Sequence, residues 1–189
     1  ELSYRKLRLL GLRKVMQEHT YAQRLSFISS KVFGNSFNNS QEKIVLFSVV
    51  NSIGEASNII ESFKKQTYTN KILCVVKNFK DNIKEEENIY IFDNAEDAII
   101  EIMSLKSDIT FLGQLNPNDY YGENYLTDII LSTRYSDADA FGKIAYYEFD
   151  SKIELKNDKK QYHKTSHLET MSSLVKINKL DENSIKRFI

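Results

Sequence analysis

Short, nearly unbroken apolar runs alternate with amphipathic stretches along this chain. Residues 43–50 (Lys-Ile-Val-Leu-Phe-Ser-Val-Val) are apolar almost throughout, the pattern of a parallel strand buried on both faces. Residues 71–76, 89–92 and 108–112 repeat it. Between these runs, Ile59, Ile60 and Phe63 within residues 55–65 recur at helical spacing. So do Ala98, Ile99, Ile102 and Met103 within residues 95–105, with Asn94 placed to cap that helix. Residues 51–54 read as a tight turn. Tyr125, Leu126, Ile129, Ile130 and Thr133 predict one more helix. The order is β-α-β-β-α-β-loop-α, an α/β domain over residues 43–189 with a mainly parallel sheet flanked by helices. Residues 140–149 and 172–177 add later strands, residues 150–170 read as charged and irregular, and residues 180–189 as a helix cut short.

The first 34 residues follow a different pattern. Leu2, Leu9, Leu12 and Met16 form a stripe widened by Leu10 and Val15, while Arg5, Lys6, Arg8, Arg13 and Lys14 take the other faces. A solvated helix face explains this best. The alternative is contact with an anionic membrane surface, a partner domain or a second copy of the chain. Thr20 and Gln23 form a capping box for a helix over residues 21–33, with Leu25, Ile28 and Val32 on one stripe and Gly34 as its stop. Residues 35–42 are polar and aperiodic and read as a linker. Residues 1–34 are thus a helical appendage.

Composition narrows the class. Lys plus Arg number 26, as do Asp plus Glu, giving zero formal charge; this argues against a nucleic-acid partner, which needs a basic face. The single cysteine, Cys74, falls inside a strand pattern and reads as an inert buried thiol, which fits a reducing, cytoplasmic setting. No apolar run approaches the ~20 residues of a membrane span, and no signal-peptide pattern opens the chain, which starts at Glu1 and reads as a fragment or processed product. Glu85, Glu86 and Glu87 read as a solvated loop or helix start.

The candidate chemistry centres on residues 114–122, Gln-Leu-Asn-Pro-Asn-Asp-Tyr-Tyr-Gly, which hold the only proline. A strand, a polar loop with one acid and a helix follow in order. Ligands in open α/β sheets gather at such loops, and oxygen-rich loops hold hard cations. On local chemistry alone the simpler reading is preferred: a Pro-Asn turn whose polar groups only satisfy backbone groups. The turn at Asn51 and Ser52 is suited to meeting a phosphate or base through backbone groups, although no glycine-rich phosphate motif is present. His163 and His167 have the i, i+4 spacing of a metal pair but lie in no helical pattern, and His19 before the Thr20 cap reads as structural.

Asn116 to Gly122, followed by Tyr125-Leu126-x-Asp128, resembles the metal-loop segment of bacterial family 2 glycosyltransferases of GT-A (Rossmann-like) fold. Tyr135-Ser136-Asp137-Ala138-Asp139-Ala140-Phe141-Gly142-Lys143 and Ser62-Phe63-Lys64-Lys65-Gln66-Thr67-Tyr68 resemble the same group. The resemblance spans about residues 43–177. Glu18-His19-Thr20-Tyr21-Ala22-Gln23-Arg24-Leu25 resembles the closing helix of a GT-B type domain, a type sometimes fused ahead of family 2 domains; this resemblance implies that residues 1–34 are the tail of a preceding domain. The chain departs from the pattern at two places. Where the family carries several aspartates it has Asn116, Pro117, Asn118 and Asp119. Where many members place a base-contacting Asp it has Val75-Val76-Lys77-Asn78.

The resemblance implies sugar transfer from a nucleotide-sugar to a glycan or lipid-linked acceptor of a cell-surface polysaccharide, in the cytoplasm or at the inner membrane face. It implies donor binding by Asn51, Ser52, Asn78 and Asn116, and a divalent cation, Mn²⁺ or Mg²⁺, held by Asp119 and Asn118. The catalytic base that the resemblance implies is not identified in the C-terminal region where family members often place it; Asp181 and Glu182 are the nearest candidates and the assignment stays open. The thinned acid loop supports a rival: a non-catalytic GT-A-like binding or assembly module of a larger multidomain enzyme.

Overall fold

The computed structural model describes residues 2–34, 41–158 and 163–188. The chain divides into two compact units, Glu1–Gln41 and Glu42–Ile189. In the first, α1 (Leu2–Glu18) is followed by α2 (Tyr21–Phe33). The expected capping box is present: Thr20 N donates to Gln23 Oε1 at 2.8 Å and Gln23 N to Thr20 Oγ1 at 3.4 Å. Gly34 closes α2 in the left-handed region at φ 73°, where the absence of a Cβ removes the steric cost. Leu25, Ile28 and Val32 are exposed. Residues 35–40 of the expected linker lie outside the described residues.

The second unit is an α/β domain with a mostly parallel, six-stranded mixed sheet. Its strands are β1 (Ile44–Val50), β2 (Lys71–Lys77), β3 (Ile89–Phe92), β4 (Phe111–Gln114), β5 (Ala140–Gly142) and, after a separate hairpin of β6 (Tyr146–Phe149) and β7 (Ile153–Lys156), β8 (Ser173–Lys176). The sheet order is β3-β2-β1-β4-β8-β5. β1 to β4 are mutually parallel, whereas β8 runs antiparallel to both β4 and β5. α3 (Ile53–Lys65) and α5 (Tyr125–Ser132) cover one face, and α4 (Ala95–Ser104) and α6 (Glu182–Phe188) the other. β1 alternates accordingly: Ile44, Leu46 and Val50 join the α3/α5 core, and Val45 and Phe47 the α4/α6 core. Burial on both faces is why this strand shows no polar alternation. Ser48 is the exception, fully buried with an unpartnered hydroxyl.

Several boundaries shift. β4 begins at Phe111 and runs to Gln114, later than residues 108–112. α3 starts at Ile53 rather than at residue 55, because the Ser52 hydroxyl caps it by accepting from Glu55 N at 3.2 Å. Glu85 to Glu87 start no helix. The expected strand over residues 140–149 is two strands in two sheets. Lys143 is held at the exit of β5 by Asp128 Oδ2 at 2.9 Å and by its own N–H on Ser172 O, and the chain then leaves the sheet. Part of the segment expected to be irregular forms β7, paired with β6 through Tyr147↔Leu155 and Phe149↔Ile153.

Close approach fixes two glycines. A Cβ on Gly113 would stand 2.5 Å from Leu174 Cδ2 and 3.1 Å from Leu46 Cδ2, and one on Gly142 2.7 Å from Ser172 O. Both glycines sit where β8 wedges between β4 and β5. Among the described residues no helix is long and apolar enough to cross a membrane.

Candidate functional site

Strand order locates the crevice. The chain leaves β1 toward β2 and β3, then returns after α4 to β1's other side as β4. Connections therefore diverge between β1 and β4, and the space beyond their carboxyl ends is the switch point where open α/β sheets take ligands. Asn51 follows β1, Asn78 follows β2, and Asn116 to Asp119 follow β4. These sequence-chosen residues therefore share one edge of the sheet.

Their hydrogen bonds show what each is free to do. Asn78 N donates to Val50 O at 2.9 Å, and its Nδ2 to Asn51 Oδ1 at 2.9 Å. Ser52 is occupied as the cap of α3. Asn116 is largely consumed by its own turn: its Oδ1 accepts from Asn118 N at 3.0 Å and its carbonyl from Asp119 N at 3.1 Å. Pro117 occupies the second turn position, where its fixed φ fits. The simple turn reading thus holds for Asn116.

Asp119 is different. It is solvent-exposed, yet partial desolvation by the surrounding loop pushes its carboxyl above the ordinary carboxylate range. Among the described residues its carboxylate makes no ion pair or hydrogen bond. Partial desolvation with no cation alongside disfavours the charged form. Below it, Tyr121 Oη accepts from Asn116 N at 2.9 Å and donates to Met171 O at 3.0 Å. Tyr121 is pushed up to about 12, chiefly by burial, and packs edge-on against Tyr125 with ring centroids 4.9 Å apart. A neutral phenol thus anchors the loop. Tyr120, 91% exposed, contributes nothing to that anchor.

The sequence reading missed Glu55. Its Oε2 accepts from Asn51 N at 2.7 Å and its Oε1 from Asn118 Nδ2 at 3.4 Å, so it joins the β1 and β4 loops. The signal was present as Ser52-x-x-Glu55, a capping-box spacing. It also missed the contacts of Gln66 with this region: Nε2 donates to Gly122 O at 2.9 Å and Oε1 accepts from Leu126 N at 3.2 Å.

The remaining candidates lie elsewhere. β8 meets β4 antiparallel, with Lys176 opposite Phe111, and Ile177 N bonds to Thr110 O. α6 therefore follows from the amino-terminal edge of the parallel strands, opposite the crevice. Asp181 caps it, accepting from Ser184 N at 2.7 Å, and is held low by hydrogen bonding from Ser184. Glu182 is held low by Lys186, 2.6 Å away. Both therefore sit at the edge of the sheet opposite the crevice. His163 and His167 are exposed and share no helix, and His167 lies 3.6 Å from Glu169. His19 is exposed, 3.9 Å from Glu18. Cys74 is pushed up to about 12 by burial, as an inert thiol should be.

No group of three or more His, Cys, Asp or Glu side chains suited to a metal occurs among the described residues. The loop offers hard oxygen donors but a single carboxylate, which suits a Mg²⁺-type ion completed by substrate phosphates rather than a self-standing metal site. No protein-family model matches the chain, and no curated protein compared with it is significantly similar.

Proposed function

We propose that the Glu42–Ile189 unit is a GT-A-like glycosyltransferase domain that takes a nucleotide-sugar at the carboxyl edge of β1, β2 and β4 and serves a glycan or lipid-linked acceptor. The observation that carries this reading is Asp119: a solvent-accessible carboxylate at the switch point with no ion pair or hydrogen bond among the described residues, in the loop whose sequence resembles the family 2 metal loop. Asn51 and Asn78 stand at the adjacent strand ends, suited to the nucleoside. A divalent ion shared by Asp119, Asn118 and the diphosphate would neutralise the leaving group. One carboxylate leaves such an ion under-compensated, so metal and nucleotide bind together or not at all.

A second reading has its own support. With Asp181 and Glu182 at the far edge, no carboxylate proposed as the base reaches the crevice. A domain that holds the donor without transferring it, as an assembly module of a larger enzyme, fits that arrangement.

Calorimetric titration of UDP and other nucleoside diphosphates, with and without Mn²⁺, on the wild type and Asp119→Asn, tests the site. Binding that needs Mn²⁺ and is lost in Asp119→Asn is expected. Equal, weak binding in all four conditions rejects the metal role. Mn²⁺-dependent binding without turnover of any UDP-sugar selects the second reading.

A further inference from the structure

The amino end of α5, which fixes the exit of the Asp119 loop, is not capped by its own residues. Asn124 holds the cap position, yet its side chain makes no capping bond. Asn124 Oδ1 instead accepts from Thr67 Oγ1 at 3.0 Å. The missing cap comes from the turn between α3 and β2. Gln66 is only 5% exposed, and its carboxamide is fully used: Oε1 takes the Leu126 N–H at 3.2 Å, while Nε2 reaches Gly122 O at 2.9 Å and Ser62 O at 3.4 Å. Thr67 N donates to Glu123 O at 2.8 Å, and Thr67 Oγ1 lies 2.9 Å from Thr127 Oγ1. Two consecutive residues thus bind Gly122, Glu123, Asn124, Leu126 and Thr127, about 60 positions away in sequence.

The turn that makes this clamp is itself held. Lys71 Nζ donates to Gln66 O at 2.8 Å and to Tyr68 O at 2.6 Å, and Tyr68 Oη donates to Glu42 O. Buried, fully paired carboxamides are costly to disturb, because each released partner is left without water. The far end of the loop is pinned by Tyr121 on Asn116 N and Met171 O. Between these two anchors the loop carries Asn118 and Asp119.

We propose that Gln66, with Thr67, is a positioning residue for the nucleotide site: it caps α5 in trans and thereby sets where Asp119 stands. The proposal rests on the donor-site reading above for its ligand, and on geometry alone for the loop. It differs from ordinary core packing in one respect. Loosening the clamp should be felt at Asp119, which Gln66 does not touch, and not across the sheet.

The test uses the full chain with Gln66→Met and Thr67→Val, the second removing an exposed hydroxyl so that a folded variant is secured. Amide exchange is followed at Leu126, at Asp119 (bonded to Asn116 O) and at Leu73 in the central sheet, together with UDP affinity in Mn²⁺. Loss of one or two hydrogen bonds should speed exchange at Leu126 and Asp119 by about tenfold, with Leu73 unchanged, and weaken UDP binding by about tenfold. Parallel acceleration at Leu73, or unchanged Asp119 exchange and UDP affinity in a folded variant, overturns the proposal and leaves Gln66 a stability residue. If the wild type binds no nucleotide, the donor-site reading falls instead, and exchange at Asp119 alone decides whether the clamp sets the loop.

Discussion

The stretch from β1 to β4 and the stretch from β5 to α6 contribute to one sheet on opposite terms. In the first, the four strands are parallel to one another, and most side chains of β1, β2 and β4 enter one of two cores. In the second, three-residue β5 and four-residue β8 pair antiparallel, and β6 and β7 form a ribbon off the sheet. That ribbon separates its faces by chemistry. Tyr146 and Glu148 stand with Lys156 and Glu154, whereas Tyr147 and Phe149 stand with Leu155 and Ile153. Lys156 is raised by its bonds to Glu154 and Glu148. The contrast teaches that the parallel half supplies most of the two cores, while the β6–β7 ribbon, which leaves β5 and returns to β8 at the carboxyl edge of β4, stands outside them.

Substitution of two phenylalanines breaks or keeps that contrast most directly. Phe47 is 0% exposed in β1 and Phe149 78% exposed in β6. Phe47→Ala should cost about 3–5 kcal/mol in urea denaturation, whereas Phe149→Ala should stay within about 0.5 kcal/mol. Comparable losses would mean the ribbon is packed in solution and the contrast false. The seam between the halves comes next. Gly113→Val puts a branched side chain against Leu174 and Leu46, and should cost about 1–3 kcal/mol through overpacking, with β8 amides losing exchange protection before those of β2.

Two smaller effects sharpen the picture within the parallel half. Ser48→Ala removes the orphaned hydroxyl and should raise stability by up to about 1 kcal/mol, since an unpaired buried donor is a net cost. A loss would show that a buried water satisfies Ser48. Asp119 gives a pH signature. Its folded carboxyl lies above its unfolded value, so the folded state binds the proton more tightly. Stability therefore falls as pH rises from the unfolded carboxylate range through the raised value. Asp119→Asn should abolish that decline in a series of melting temperatures from acid to neutral pH, and the effect should be the smallest of the four because the carboxylate is solvent-exposed.

The same contrast explains what could be read from the chain alone. Buried parallel strands write themselves as apolar runs, so β1, β2 and β3 were legible, as were the caps Thr20, Asn94 and Gly34. The hairpin was not. Tyr146 to Phe149 continue the apolar tone of β5, and nothing in periodicity marks the corner at Lys143, which depends on Asp128 and Ser172 from elsewhere in the chain. The common position of Asn51, Asn78, Asn116 and Asp119 at one edge of the sheet was legible because each follows a strand. Gln66 and Tyr121 were not, because hydrogen bonds made across 50 residues or more leave no local trace.

The wedge of β8 between β4 and β5 also has a consequence during synthesis. β4 gains β1 as soon as it emerges, but its other edge has no partner until residues 173–176 follow. At about 5–20 residues per second, a nascent chain presents the bare edge of Phe111–Gln114 for seconds. An unpaired, apolar strand edge is a template for another copy. Chains interrupted before Ser173 should therefore aggregate on the ribosome or soon after release, while the completed chain closes that edge itself.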